Sequence, residues 1–340
     1  MVTIADVAVR AGVGIATVSR VINDSPRVTD ATRERVLAAI VDLDYRPSTS
    51  ARALSRGRCQ TLGVIVPFFT HASAVERLRG VVAALDGSRH DLVLFNVESP
   101  VHRDEHFAAL TGRDRADGLL VMSLPPKPAD LERLHRAGVP VVLVDARGMG
   151  VPMVVTNDVE GGRIATRHLV ELGHERVAFI GDDRESGFGF TSSDKREQGY
   201  HEVMHAAGLE IDPSLVRYGH HERDVAQRLA EDLLTIDQPP TAVFACSDVQ
   251  ATGALAAARS LGLRVPENLS IVGFDDIELA SYVGLTTVRQ PLFDSGYQAT
   301  KLLLGALQGD GDLTEERHDL TLELIERSTT GPVPGGQRRG

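Results

Sequence analysis

The 340-residue chain has no tryptophan, only two cysteines and 4% aromatic residues. Cys59 and Cys246 lie far apart in sequence and suggest neither a disulfide framework nor a metal site. No apolar run approaches the roughly 18 residues of a membrane span, so no transmembrane helix is expected. A basic leader followed by an apolar segment is also missing, so no secretory signal is read and a cytoplasmic location is expected. Catalytic signatures are lacking too. There is no GxSxG elbow, no HExxH and no phosphate-cradling GxxxxGK[ST], and the glycine-rich SGFGF does not sit between a strand and a helix. The nearest approach to a reactive cluster is HHERD, with His220, His221 and Glu222, but adjacent histidines do not face one site on a helix. No enzymatic activity, no cofactor and no metal are expected.

Hydrophobic residues make up 42% of the chain without low-complexity blocks, which indicates a globular protein of two or three compact units. The net charge of −11 is unevenly spread. Residues 1–60 hold nine arginines, no lysine and six acidic residues, a net of +3. The remaining 280 residues hold 27 basic and 41 acidic groups, a net of −14. A basic front on an acidic body fits a protein that touches nucleic acid through one end only.

Within that front, Ile4, Val7, Ala8 and Ala11 form the apolar stripe of a short helix. Thr3 and Asp6 make a capping-box start, and Gly12 stands where a left-handed residue ends the helix. A second helix follows Gly14 and buries Val18, Val21 and Ile22. A third begins near Thr29 or Asp30 and is expected to bury Val36, Leu37, Ile40 and Leu43. On the exposed side of the second helix, Thr17 and Ser19 are short hydroxyl donors suited to phosphate oxygens. Arg20 has the fork that matches guanine O6 and N7, with a phosphate contact as the alternative. Ile15 and Ala16 offer methyl groups to the groove, and Asn23, the last residue of IATVSRVIN, is counted with them as a candidate DNA contact.

The segment TIADVAVRAGVGIATVSRVINDSPRVTDATRERVLAAIVDLDYRPSTSARALSRG closely resembles the DNA-binding headpiece of the LacI/GalR family of bacterial repressors. The resemblance covers all three helices, the YRPS exit and the SARALS segment. It implies that Ile15 and Ala16 tune operator choice and that Arg20 lies on the base-reading face. It also implies a hinge helix over Ser48–Ser55, carried by Ala51, Arg52 and Leu54, with Leu54 as a minor-groove wedge. Such a helix is too short to stand alone in water and would form only in a dimer on double-stranded DNA.

Beyond Thr61, strands alternate with helices in two series, which implies parallel sheets with helical crossovers. The first series places strands at Leu62–Val66, Leu92–Asn96, Gly118–Met122 and Val139–Val144. The second places them at Val177–Ile180, Ser214–Arg217, Ala242–Ala245 and Leu269–Phe274. This resembles the two-lobed periplasmic-binding-protein fold of the family's sensor. The expected division is a helix-turn-helix headpiece at 1–47, a hinge at 48–60 and a two-lobed α/β domain at 61–328. One lobe takes about 61–159 and 291–324, the other about 162–289 and 325–328, and the Gly/Pro-rich residues 329–340 are expected to be disordered.

Ligands of open α/β lobes bind beyond the carboxyl ends of strands. That rule selects Asp145 after VVLV, Ser247 and Asp248 after VFAC, and Asp275 and Asp276 after IVGF. Each has a structural alternative: a turn for Asp145, a helix-terminus carboxylate for Asp248, a cap for Asp275. The resemblance adds Arg196 in KREQGY and His221 as effector contacts, with Arg196 pairing to Glu197 or Asp194 as its alternative. The chain departs from the family after the first strand. An asparagine-proline-aromatic-aromatic run is replaced by His71, Ala72, Ser73 and Ala74, leaving Ser73 as the candidate contact there. Phe68, Phe69, Phe188 or Phe190 would then have to supply the missing ring. The expected function is a homodimeric repressor of a carbohydrate operon, released from operator DNA by a sugar-like effector. The alternatives are a corepressor-dependent regulator that answers to a nucleobase, and a solute-binding protein.

Overall fold

The computed structural model describes residues 2–46, 59–110, 115–185, 187–309, 313 and 315–333. The first unit consists of helices α1 (Ile4–Ala11), α2 (Ile15–Ile22) and α3 (Asp30–Asp42). Thr3 and Asp6 form the capping box, and Gly12 ends α1 in the left-handed conformation, φ 64°. Val7, Ala8, Ala11, Val18, Val21, Val36 and Ala39 close one small core. Leu37 is not part of it and stands 48% exposed. In a helix Val36, Ala39, Ile40 and Leu43 share a face, whereas Leu37 is turned about 100° away from Val36. The hinge residues Ala51, Arg52 and Leu54 lie outside the described residues.

The remainder forms two lobes of the same design. In the first, β1 (Thr61–Pro67), β2 (Asp91–Val97), β3 (Gly118–Met122), β4 (Val141–Val144), β5 (Met153–Thr156) and β11 (Arg317–Leu320) pair in the order β11-β5-β4-β3-β1-β2. In the second, β6 (Val177–Asp182), β7 (Val216–Gly219), β8 (Ala242–Ala245), β9 (Ser270–Asp275), β10 (Thr286–Arg289) and β12 (Glu323–Ile325) pair in the order β12-β10-β9-β8-β6-β7. Every pairing is parallel except β10 with β12. The two orders superpose term by term, so β1 corresponds to β6, β3 to β8 and β4 to β9. Central strands read as unbroken apolar runs because helices cover both faces. In β1, Ile65 joins Leu119, Val121 and Leu143 on one face, while Leu62, Val64 and Val66 join Leu120, Val142 and Val144 on the other.

The helices are α4 (Ala72–Leu85), α5 (Pro100–Ala109), α6 (Pro128–Arg136), α7 (Asp158–Glu171), α8 (Ser192–Ala206), α9 (Arg223–Leu234), α10 (Asp248–Ser260), α11 (Glu278–Tyr282) and α12 (Leu292–Gln308). In each lobe one pair crosses in direct backbone contact, which only glycine allows. A Cβ on Gly296 of α12 would lie 2.0 Å from the carbonyl oxygen of Arg77 in α4, and one on Gly162 of α7 would lie 2.0 Å from that of Arg196 in α8.

The chain passes between lobes at Asn157, at Gln290–Pro291 and between β11 and β12. The third passage falls at residues 321–322, earlier than the expected 324, so β12 belongs wholly to the second lobe. The tail also differs from expectation over its first five residues. Thr329 accepts from the Thr286 amide and donates to the Ile271 carbonyl, and the Val333 amide donates to Leu172. His168 bonds Thr330, and His174 bonds Thr241, Ser270 and the Gly331 carbonyl. Gly/Pro content marks a segment without a ladder of its own, but these side chains tie it down.

Candidate nucleic-acid interface and ligand cleft

Helix α2 presents Ile15, Ala16 and Arg20 to solvent, with Thr17, Ser19 and Asn23 half-buried beside them. The Asn23 amide donates to the Ser19 hydroxyl at 3.4 Å, which ties the polar end of that face together. Three headpiece arginines are engaged: Arg10 with Asp42, Arg33 with Asp24, and Arg46 with Asp44. Arg20, Arg27 and Arg35 form no ion pair among the described residues, so these three side chains are available to phosphate or base.

Between the lobes lies a cavity of about 460 Å³, within the range of small-molecule sites. Of the residues selected from sequence, Ser73, Asp145, Arg196, His221 and Asp275 all line it. Ser247, Asp248 and Asp276 do not; Asp276 is paired with Arg289 and Arg327. The Ser247 hydroxyl caps α10 by accepting from the Gln250 amide, and Asp248 accepts from the Ile277 amide and the Thr287 hydroxyl. Both are fully buried, so the strand-end rule found the right turn, but the side chains point into the second lobe.

The duplication of the lobes produces a duplicated site. Asp145 follows β4, and Asp275 ends the corresponding β9. Arg77, in the helix after β1, pairs with Asp145 at 2.7 Å, and Arg196, in the helix after β6, stands 3.9 Å from Asp275. Gln290, at the second passage between lobes, accepts from Arg77 at 3.3 Å and donates to Asp275. A continuous polar link thus runs from one lobe to the other across the cavity floor. Arg196 is further held by Asp158 at 2.9 Å and by the Cys246 carbonyl at 2.6 Å, with its guanidinium 3.7 Å above the Phe274 ring. It does not pair with Glu197 or Asp194, which Arg184 holds instead. Burial pushes the Asp275 and Asp158 carboxyls up, and Arg196 works against that shift at both.

The backbone is strained where it delivers these groups. Phe68 (φ 45°), Ser123 (φ 50°), Asp145 (φ 51°) and Asp275 (φ 118°) are left-handed non-glycine residues at the ends of β1, β3, β4 and β9, and all four line the cavity. Strain of this kind costs of order 1–3 kcal/mol per residue and collects at functional sites.

One wall of the cavity is built of rings. Phe190 stacks on Phe188 at 5.1 Å, Phe188 meets Phe68 edge-on at 5.4 Å, Phe68 stacks on His71 at 5.1 Å, and His71 stacks on His221 at 5.4 Å. Phe69, the other ring named from sequence, lies on a separate surface groove. His221 is fixed by Asp182 at 2.9 Å. Burial opposes protonation of His221, but the Asp182 carboxylate outweighs it and raises the imidazole above its usual range, while Asp182 is lowered in turn. Arg77, Ser123, Asp182 and Gln290 escaped the sequence reading. Arg77 sits in mid-helix and Gln290 in a passage, so neither follows a strand. Asp182 ends β6, and the strand-end rule applied there would have found it.

A three-helix head with exposed, unpaired arginines joined to a two-lobed sensor with a polar interlobe cavity defines a ligand-responsive DNA-binding regulator. Residues 3–48 match the bacterial regulatory proteins of the lacI family, and residues 166–330 match the periplasmic binding protein-like domain. The HTH-type transcriptional repressor PurR of Vibrio atlanticus (strain LGP32) is 33% identical over 97% of this chain and 98% of its own length. Among solved structures, a transcriptional regulator CelR–cellobiose complex is 33% identical, covering 97% of this chain and 100% of that one, with a TM-score of 0.71. The lac repressor dimer bound to operator and the anti-inducer ONPF is 27% identical over 97% and 99%, with a TM-score of 0.81. The chain therefore belongs to the lacI family and is a DNA-binding transcriptional repressor of that family. No helix among the described residues is long and apolar enough to cross a membrane.

Proposed function

We propose that this repressor binds an uncharged, polyhydroxylated, sugar-like effector in the interlobe cavity and is released from its operator by it. The ring wall carries this reading. Its five rings pack on one another in a single row, which suits the C–H face of a sugar laid against one side. A flat nucleobase calls for rings on both faces. The same cavity is lined by Asp145, Asp182 and Asp275, carboxylates with lone pairs left for vicinal hydroxyls, and groups hydrogen-bonded this way discriminate strongly against ligands that lack them. The cellobiose in the CelR complex is in keeping with such a site.

A nucleobase effector is the second reading, favoured by the PurR name of the curated relatives. Thermal-shift measurements with cellobiose, ribose and hypoxanthine separate the two, because a ligand selective for the native state raises its melting temperature. Stabilisation by a saccharide, with loss of operator retention in a gel shift, is the expected result. Stabilisation by hypoxanthine alone would replace the sugar by the base.

The reading includes a homodimer. Each lobe exposes an apolar face: Val75, Val82 and Phe293 around one groove, and Leu279, Val283 and the 76% exposed Tyr282 around another. Patches of this type mark association surfaces. A dimer held at both lobes would pass a change of lobe angle on to the spacing of the two heads, which is the coupling that a ligand-controlled operator complex requires.

A further inference from the structure

His71 and His221 come from different lobes. His71 precedes α4 of the first lobe, and His221 lies between β7 and α9 of the second, so their ring contact at 5.4 Å crosses the cleft. The two imidazoles are unequal. Asp182 bonds His221 at 2.9 Å and favours its charged form, whereas the ring nitrogens of His71 make no hydrogen bond among the described residues. Phe68 covers the other face of His71, and the positive end of the α4 dipole lies beside it.

We propose that the His71–His221 pair is a proton-controlled latch: closed while His71 is neutral, and forced open when His71 takes a proton and two cations face each other across the cleft. The proposal rests on the cleft being the effector site only for its consequence, a ligand affinity that weakens in acid.

The charged surroundings decide whether the latch acts near neutrality. Burial lowers His71 below the usual histidine range, and the His221 charge lowers it further; Asp182 and Glu222 pull in the opposite direction. Around His221, Asp182 and Asp275 favour the charge while burial and Arg196 disfavour it. His220, next in the chain, is 3.7 Å from Asp183 and stands at the rim. The carboxylates are therefore committed mainly to His221 and Arg196, and a proton on His71 is opposed by the charge that Asp182 favours on His221. The closed state disfavours that proton, so by linkage the proton disfavours the closed state. Affinity for a ligand that needs closure would fall by up to about tenfold per pH unit as pH drops from the open-state to the closed-state titration of His71.

Two measurements on the full-length protein without ligand test this. The radius of gyration from small-angle scattering, followed from about pH 8 to about pH 5, is expected to increase below pH 6.5 in the wild type and to stay flat in His71→Phe, which keeps a ring but binds no proton. Equal expansion of both proteins, or no expansion of the wild type, overturns the proposal. In a histidine-labelled sample, His221→Phe is expected to raise the His71 titration toward that of free histidine. An unchanged His71 midpoint means that the rings do not sense each other, and likewise overturns it. Neither measurement involves an effector, so a wrong ligand class leaves both outcomes readable.

Discussion

Replacing Arg196 by Met removes the cation on which the floor of the second lobe depends. The side chain is 7% exposed, pairs with Asp158, bonds the Cys246 carbonyl, lies over Phe274 and faces Asp275. Met fills similar volume and keeps the contact with Phe274, so the loss is electrostatic. Taking one partner from a buried ion pair costs about 3–5 kcal/mol because the other charge is left uncompensated. Two carboxylates are stranded here, and burial has already raised both. Without Arg196 they rise further, so the folded variant holds protons that the unfolded chain releases. Stability then falls as pH rises through those raised values, and the deficit is largest at neutral pH and shrinks toward acid. Urea unfolding of wild type and variant at about pH 7 and about pH 5 measures both features. A deficit below about 1 kcal/mol, equal at the two pH values, would refute this account and make Arg196 a solvated, ligand-facing group. Arg196→Lys retains the charge but not the fork that reaches Asp158 and Cys246 together, and should fall between the two.

Arg20→Ala is expected to weaken operator binding by about 1–3 kcal/mol, concentrated at one base pair of each half-site; an equal loss on every sequence in a gel-shift series would identify a phosphate contact instead. Gly162→Ala should cost about 3 kcal/mol or more in chemical unfolding, since its Cβ would sit 2.0 Å from a backbone oxygen, whereas Gly305→Ala meets nothing within 4 Å and should stabilise by about 0.5–1 kcal/mol. Burial lowers His168 and His174 from 6.5, so their neutral forms contribute stability that is complete above pH 6.5 and is lost as pH falls through the folded-state values. The melting temperature should therefore drop in mild acid, and less steeply in His174→Gln, whose amide reaches the position of the ring nitrogen that bonds Gly331 but cannot titrate.

The helix-turn-helix was legible because its signals are local. Thr3 and Asp6 are three residues apart, Gly12 ends a helix that begins nearby, and Val18 and Val21 lie on one turn. The two α/β series were legible for the same reason, with unbroken apolar strands between helices of ordinary length. The missed strands are β5, β10, β11 and β12, only three or four residues long, and two of them are polar edges that carry no apolar run. Among the cavity residues, Asp145 and Asp275 could be selected because strand ends face the cleft in any open parallel sheet.

Local pattern fixes which residues stand at a turn; it does not fix where the side chain goes once neighbours from elsewhere compete for it. Asp248 was claimed by Ile277 and Thr287 and so left the cavity, while Arg77 entered it to meet Asp145, 68 positions later, and Gln290, 213 positions later. The row from Phe190 to His221 likewise assembles rings from both lobes, none of which announces the others in sequence. Helices, strands and the headpiece thus follow from contacts within a few residues, whose geometry the chain imposes on itself. The cleft chemistry came only with the tertiary structure, because two duplicated sheets had to face each other before an arginine, an aspartate and a histidine from separate segments could share one cavity.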